Sequence, residues 1–159
     1  MNIVYLLLGS NMDNPGEQLR AATRYIEQQI GKVSRSSSIY QTAAWGNEQQ
    51  PDFLNQVLIV ESALTASQTM QAILSIEKEM GRIRTEKNAP RVIDIDILFF
   101  NKEIIHKEHL TIPHPEIPNR RFVLVPLEEL SPLLLHPQLH KTTSALLEAC
   151  TDPLDVKKF

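Results

Sequence analysis

A chain of 159 residues, 42% of them hydrophobic and 22% charged, fits one globular domain and can bury a substantial core. Its 16 Lys and Arg against 19 Asp and Glu leave a formal net charge of −3, a poor balance for a broad nucleic-acid surface, so no nucleic acid is expected as a partner. The single cysteine, Cys150, excludes a disulfide framework and a cysteine-based zinc site, and it fits a reducing, cytoplasmic setting.

The opening MNIVYLLLGS has an apolar run of only six residues and no basic flank, too little for a membrane span or signal peptide. It reads as a first strand over residues 3–8, and no membrane partner is expected. In NPGE, Asn14 is the expected N-cap, Pro15 the first helical residue and Glu17 the third after the cap. The helix so opened runs to about Gln29, and Gly31 ends it. KVSRSSSIY and FLNQVLIVES are extended and β-rich. Thr65 and Gln68 make a capping box for a second helix, to about Met80, before Gly81. VIDIDILFF, residues 92–100, is the next strand, followed by a turn at Asn101–Lys102 and a short extended piece from Glu103 to His106. The order is βαββαβ, a ferredoxin-like α+β arrangement with an antiparallel sheet. Apolar segments at 122–130 and 143–149 add C-terminal helices. No repeat, low-complexity tract or linker divides the chain, so residues 1–159 are expected to be a single domain.

The strand VIDIDILFF carries two charges that a dry strand would avoid. Side chains alternate, so Asp94 and Asp96 share one face and Ile93, Ile95 and Ile97 the other. Their Cα atoms lie roughly 6.5–7 Å apart, and two partly buried carboxylates at that separation repel. Either a salt-bridged strand face or a divalent cation compensates them, and spacing alone leaves both open. Oxygen-only ligation suits magnesium, which shares its shell with water and phosphate.

The surroundings favour an anion. Residues 82–121 hold eight basic against six acidic side chains, and five of the eight arginines: Arg82, Arg84, Arg91, Arg120 and Arg121. GRIRTEKNAPR places three guanidinium groups on a polar loop beside the carboxylate pair, a combination suited to phosphate chemistry. Glu77 falls inside the apolar stripe Met70, Ile73, Ile76 and Met80 of its helix, where it either supports the site from behind or anchors the arginine loop. Glycines at 9, 16, 31, 46 and 81 are too scattered for a P-loop or a G-x-G-x-x-G turn, so side chains and metal must hold any polyphosphate. In TIPHPEIPNRR, three prolines fix His114 on a stiff loop ahead of Arg120. Ser10, His106, His109, His136 and His140 form no nucleophile–base pattern. Trp45, Phe53 and Asn55 either clamp a flat heterocycle or, for the two aromatics, cap the core.

Six blocks in order, LLLGSN (6–11), PDFLN (51–55), EMGRIR (79–84), KNAPRVIDIDIL (87–98), LTIPHP (110–115) and NRRFVLVPL (119–127), resemble the 6-hydroxymethyl-7,8-dihydropterin pyrophosphokinase family along nearly the whole chain. The resemblance implies transfer of the β,γ-pyrophosphoryl group of ATP to the pterin hydroxymethyl oxygen, with release of AMP, in folate synthesis. It implies two magnesium ions on Asp94 and Asp96, and Arg82 and Arg91 closing over the transferring group. Arg84, Ile97, His109, Leu110, Thr111, His114 and Arg120 are then ATP-binding residues. Phe53 and Phe122 would stack on the pterin, with Asn55 and the Thr42, Ala43, Ala44 and Trp45 loop reading its edge. A monomer is expected. The chain departs from the family at Asn88 and Ala89, where other members often have tryptophan and glycine, in an arginine loop about one residue shorter, and at Phe53, a tyrosine in some members. Two other readings would use the same features: a two-metal nucleotidyltransferase or phosphodiesterase, and a non-enzymatic ferredoxin-like ligand-binding module. A pocket of Phe53, Asn55 and Phe122 beside the carboxylates argues against both.

Overall fold

The computed structural model describes residues 1–43, 51–81 and 92–159. In chain order these form β1 (Asn2–Ser10), α1 (Pro15–Gln29), β2 (Gly31–Ser36), β3 (Tyr40–Thr42), β4 (Phe53–Ser62) and α2 (Ala66–Glu79). There follow β5 (Asp94–Phe100), β6 (Ile105–Lys107), β7 (Leu110–Ile112), a 3₁₀ turn (Ile117–Asn119), α3 (Arg121–Leu130), α4 (Thr143–Ala149) and β8 (Lys157–Lys158). β1 lies inside the sheet, antiparallel to β4 on one side and to β5 on the other. β2 and β3 pair in succession with β4, and β8 adds to β3. This is the expected ferredoxin-like order with an antiparallel sheet.

Alternation along the strands builds two cores. Val4, Leu6 and Leu8 of β1, Leu54, Leu58 and Val60 of β4 and Ile95 and Ile97 of β5 meet Leu19, Ala22 and Ile26 of α1 and Ile73 and Ile76 of α2. On the opposite face, Tyr5, Leu7, Val57, Ile59, Leu98 and Phe99 meet Val123, Leu124 and Leu127 of α3 and Leu146 of α4. Each of the large side chains buried there contributes about 1.5–3 kcal/mol relative to exposure. In β5 the pairing with β1 skips Leu98, a bulge that puts Leu98 and Phe99 on the same face and lets Phe100 return to the first core.

Two local expectations are corrected. Asn14 takes a left-handed conformation (φ 59°) after Asp13 (φ 53°), so its side chain makes no cap bond and only its carbonyl receives the Glu17 and Gln18 N–H groups. Gly31 begins β2 rather than ending a helix by a left-handed turn: a Cβ there would lie 2.1 Å from the Glu61 carbonyl oxygen, so close approach of two strands demands glycine. KVSRSSSIY is extended as expected, running through β2 and, after a break, into the first residue of β3. At the break the Ser37 hydroxyl receives the Val57 N–H at 3.0 Å, and Ser38 turns its N–H to Glu129 of α3. The capping box of Thr65 and Gln68 is present as expected.

His136 belongs to the second core. It is 4% exposed, stands edge-on to Phe99, and its Nδ1 accepts the Gln138 and Leu139 N–H groups at 3.2 and 3.1 Å. Both bonds need Nδ1 unprotonated. Burial first, and the neighbouring His140 second, hold its pKa below the ordinary 6.5. The unfolded chain therefore takes up this proton before the folded one, and the stability His136 supplies is complete above 6.5 and lost as pH falls through the folded value. The urea midpoint is expected to be level above pH 6.5 and to decline below it, with a shallower decline in His136→Asn. His114, lowered in the same direction, accounts for a remaining part of the slope. An unchanged slope in that variant would remove His136 from the explanation.

Candidate active site

Gly9, near the end of β1, is the reference point. Asp94 of β5 pairs with it from one side and Asn55 of β4 from the other. Two strand spacings therefore separate the carboxylate strand from the amide strand, roughly 9.5 Å. Asp96 follows Asp94 on the same face, opposite Leu7, and both aspartates are half-buried. Phe53 and Asn55 share that face of the sheet, where α3 packs. Between the charged pair and the amide, β1 offers no side chain at Gly9, so the face is a shallow slot with acid at one end and an amide at the other. Asn55 is 4% exposed, and its Nδ2 donates to the Thr42 hydroxyl at 3.1 Å, across the β3–β4 pairing.

The acid end is braced from behind. β5 is the outer strand of the sheet, so one edge of its backbone lies open to pairing by another group. Glu77 of α2, 3% exposed, reaches that edge, and its Oε2 accepts the Ile95 N–H at 2.8 Å. Ile95 stands between the two aspartates, so Glu77 grips the backbone that aims both of them.

The remaining wall comes from the segment after β7. The His114 N–H donates to the Leu98 carbonyl at 3.0 Å, fastening this segment to β5 just past a cis Ile112–Pro113 peptide. His114 Nδ1 accepts the Glu116 N–H at 3.1 Å, which places the ring proton on Nε2 when the ring is neutral. Burial and then the Arg120 guanidinium lower the His114 pKa, against opposing pulls from Glu116 and Asp94. His114 is thus held neutral, as an Nε2–H donor within the fields of both Arg120 and Asp94. Arg120 also stands 5.8 Å above the ring of half-buried Phe122. The start of α3, which carries Phe122, has no cap from its own Arg120; Asp152 supplies it, its Oδ2 accepting the Arg121 N–H at 3.0 Å. Beside Asp96 a cleft of about 310 Å³ opens between α2 and the β6–β7 hairpin, reaching Met70, Ile97, Leu110, Thr111 and His114.

Most of the residues expected at the site converge. Asp94, Asp96, His114, Arg120 and Phe122 surround one mouth, Thr42, Phe53 and Asn55 flank its far side, and Ile97, Leu110 and Thr111 line the cleft. His109 reaches only the cleft rim, with its side chain 89% exposed 4.0 Å from Glu108. Ala43 is exposed. Ala44, Trp45, Arg82, Arg84 and Arg91 lie outside the described residues. Gly9, Met70 and Asp152 were not anticipated. A glycine interrupting an apolar strand is a usable signal for Gly9, whereas Asp152 caps a helix start 31 residues away and leaves no local trace. Among the described residues no helix is long and apolar enough to cross a membrane.

Comparison with known proteins follows the same lines. A family model described as 7,8-dihydro-6-hydroxymethylpterin-pyrophosphokinase matches residues 5–132. The chain is 40% identical over 138 residues to the 2-amino-4-hydroxy-6-hydroxymethyldihydropteridine pyrophosphokinase of Haemophilus influenzae, across 86% of each. It is 37% identical over 145 residues to the folic acid synthesis protein of Dictyostelium discoideum, covering 91% of this chain and 22% of that longer one. A crystal structure of Plasmodium falciparum HPPK-DHPS with pterin and p-hydroxybenzoate shares the fold, with a TM-score of 0.77 at 20% identity over 92% of this chain and 43% of the other.

Proposed function

The chain belongs to the 7,8-dihydro-6-hydroxymethylpterin-pyrophosphokinase family, and from that premise we propose how its own residues carry the reaction. The hydroxymethyl oxygen of 6-hydroxymethyl-7,8-dihydropterin attacks the β-phosphorus of ATP. The bond from that phosphorus to the oxygen bridging to the α-phosphate breaks, AMP leaves, and the hydroxyl proton passes to solvent. The pterin diphosphate is the other product, in the service of folate synthesis. A nucleotidyltransferase, a phosphodiesterase and a purely binding module are not favoured by this kinship.

The observation that carries the residue roles is the slot over Gly9, with a carboxylate pair at one end and a buried amide at the other. A flat acceptor lying there, against Phe53 and under Phe122, presents its polar edge to Asn55 and Thr42 and its hydroxymethyl arm to Asp94 and Asp96. Two half-exposed carboxylates, joined among the described residues by no third His, Cys, Asp or Glu in a metal-holding cluster, fit magnesium, which takes one or two carboxylates plus water and phosphate oxygens. Two such ions on Asp94 and Asp96 would lower the pKa of the hydroxyl and neutralise charge on the transferring phosphates. Neutral His114 donates from Nε2 to a phosphate oxygen, and Arg120 adds a fixed cation there. The cleft beside Asp96, with Ile97, Leu110 and Thr111 on its walls and His109 at its rim, receives the adenosine. Arg82, Arg84 and Arg91 are assigned to the phosphates, and Ala43, Ala44 and Trp45 to the pterin edge, by family resemblance. Residues 1–159 act as one domain, as a monomer in the cytoplasm.

A product assay tests this reading. Purified protein with ATP, magnesium and 6-hydroxymethyl-7,8-dihydropterin is expected to form AMP one-for-one with pterin diphosphate, and only when the pterin is present. ADP in place of AMP would mean attack at the γ-phosphorus and would overturn the reading.

A further inference from the structure

Gly9 interrupts a strand that is otherwise built of Ile, Val, Tyr and Leu from residue 3 to residue 8. Glycine weakens a strand interior and is retained there for a reason of backbone conformation or of space. Conformation is not the reason, because the left-handed region is occupied by Gly81 and not by Gly9. Space is. A Cβ at position 9 would stand 3.1 Å from Asn55 Oδ1, with Leu54 O and Phe53 Cδ1 both at 3.9 Å. Only the first of these is closer than ordinary van der Waals contact. All three nearest atoms belong to β4, and none to Asp94 across the other edge of β1.

We propose that Gly9 is a positioning residue for the acceptor: its missing side chain seats the Asn55 amide down against β1, at the depth where that amide meets the edge of the flat ring. The inference rests on the reading of Asn55 as a pterin contact. Asn55 is buried and tied to Thr42 at 3.1 Å, so a methyl group at position 9 makes the amide oxygen give by a few tenths of an ångström, at the expense of that bond. Phe53, in ordinary contact distance, keeps its ring where it is. The acid end of the slot is untouched, so nucleotide binding should not change.

The test is Gly9→Ala, assayed for AMP formation beside the wild type. The pterin KM is expected to rise about tenfold, the effect of one hydrogen bond misaligned. The KM for ATP should stay level, and Tm should move by no more than a few degrees. In an Asn55→Ala background the same substitution should add nothing, because the amide it displaces is gone. An unchanged pterin KM overturns the proposal, as does a variant that loses Tm, ATP affinity and kcat together, or an effect that persists in full without Asn55. Failure of the wild type to form AMP would instead strike the pyrophosphokinase reading itself.

Discussion

Asp96→Ala is expected to lower kcat/KM by about 10³-fold, the scale of removing one preorganised electrostatic group from a charge-transfer step, while Tm moves by no more than a few degrees. The reasoning begins with what the pair does in the fold. Asp94 and Asp96 point from an outer strand to a half-open face, so neither fills the core, and each repels the other. Two half-buried carboxylates on one half-open strand face suit the cation site proposed above. If Asp94 and Asp96 hold magnesium as proposed, losing either carboxylate would weaken the cation's hold and its neutralisation of charge on the phosphates. Asp94→Ala should behave alike, and the two losses should not add, since both carboxylates serve the same proposed cation site. AMP formation read by chromatography, with thermal unfolding of the same samples, separates the outcomes. An Asp96→Ala enzyme with more than a tenth of wild-type turnover would return the pair to the role of an ordinary salt-bridged strand face.

The parts of this fold that follow a local rule were open to reading from residues alone. The capping box at Thr65 and Gln68, the alternation around Asp94 and Asp96 and the βαββαβ order all rest on neighbours within a turn or a strand. What escaped depends on partners far along the chain. Gly31 looks like a helix stop until Glu61 is seen passing 2.1 Å from its missing Cβ. Asp152 has no reason to be acidic until the start of α3 is laid beside it. Asn14 reads as a cap by composition, yet two left-handed residues in succession turn its side chain off the helix axis. The candidate site shows the same division. Its acid end was legible, because two charges in an apolar strand break a pattern. The depth of its amide end was not, because that is set by a side chain that Gly9 lacks.

Glu77→Ala is expected to cost about 3 kcal/mol of stability, and turnover is expected to fall with it, by about 10²-fold. Two terms make up the stability loss. The Ile95 N–H would lose an acceptor at 2.8 Å in a place that water reaches poorly, worth about 1–3 kcal/mol, and the truncated side chain would leave a void between α2 and β5. Turnover suffers because β5 is an outer strand with β1 alone on its other side, and the bond it loses lies midway between the two aspartates. An aspartate shifted by about 1 Å is enough for a hundredfold loss in a reaction that depends on positioning. Glu77→Gln divides the two ways a buried carboxylate can serve, because it keeps an oxygen of the same reach and removes the charge. If the acceptor is what the strand requires, the glutamine enzyme should hold its urea midpoint close to that of wild type and need no more magnesium for half-maximal rate. If glutamine loses as much as alanine, the charge is the essential property, and Glu77 works as an ion-pair anchor rather than as a clamp on Ile95. An alanine variant that unfolds at the wild-type urea concentration would remove the brace from the account and leave β5 to be positioned by β1 and by the His114 N–H bond to the Leu98 carbonyl.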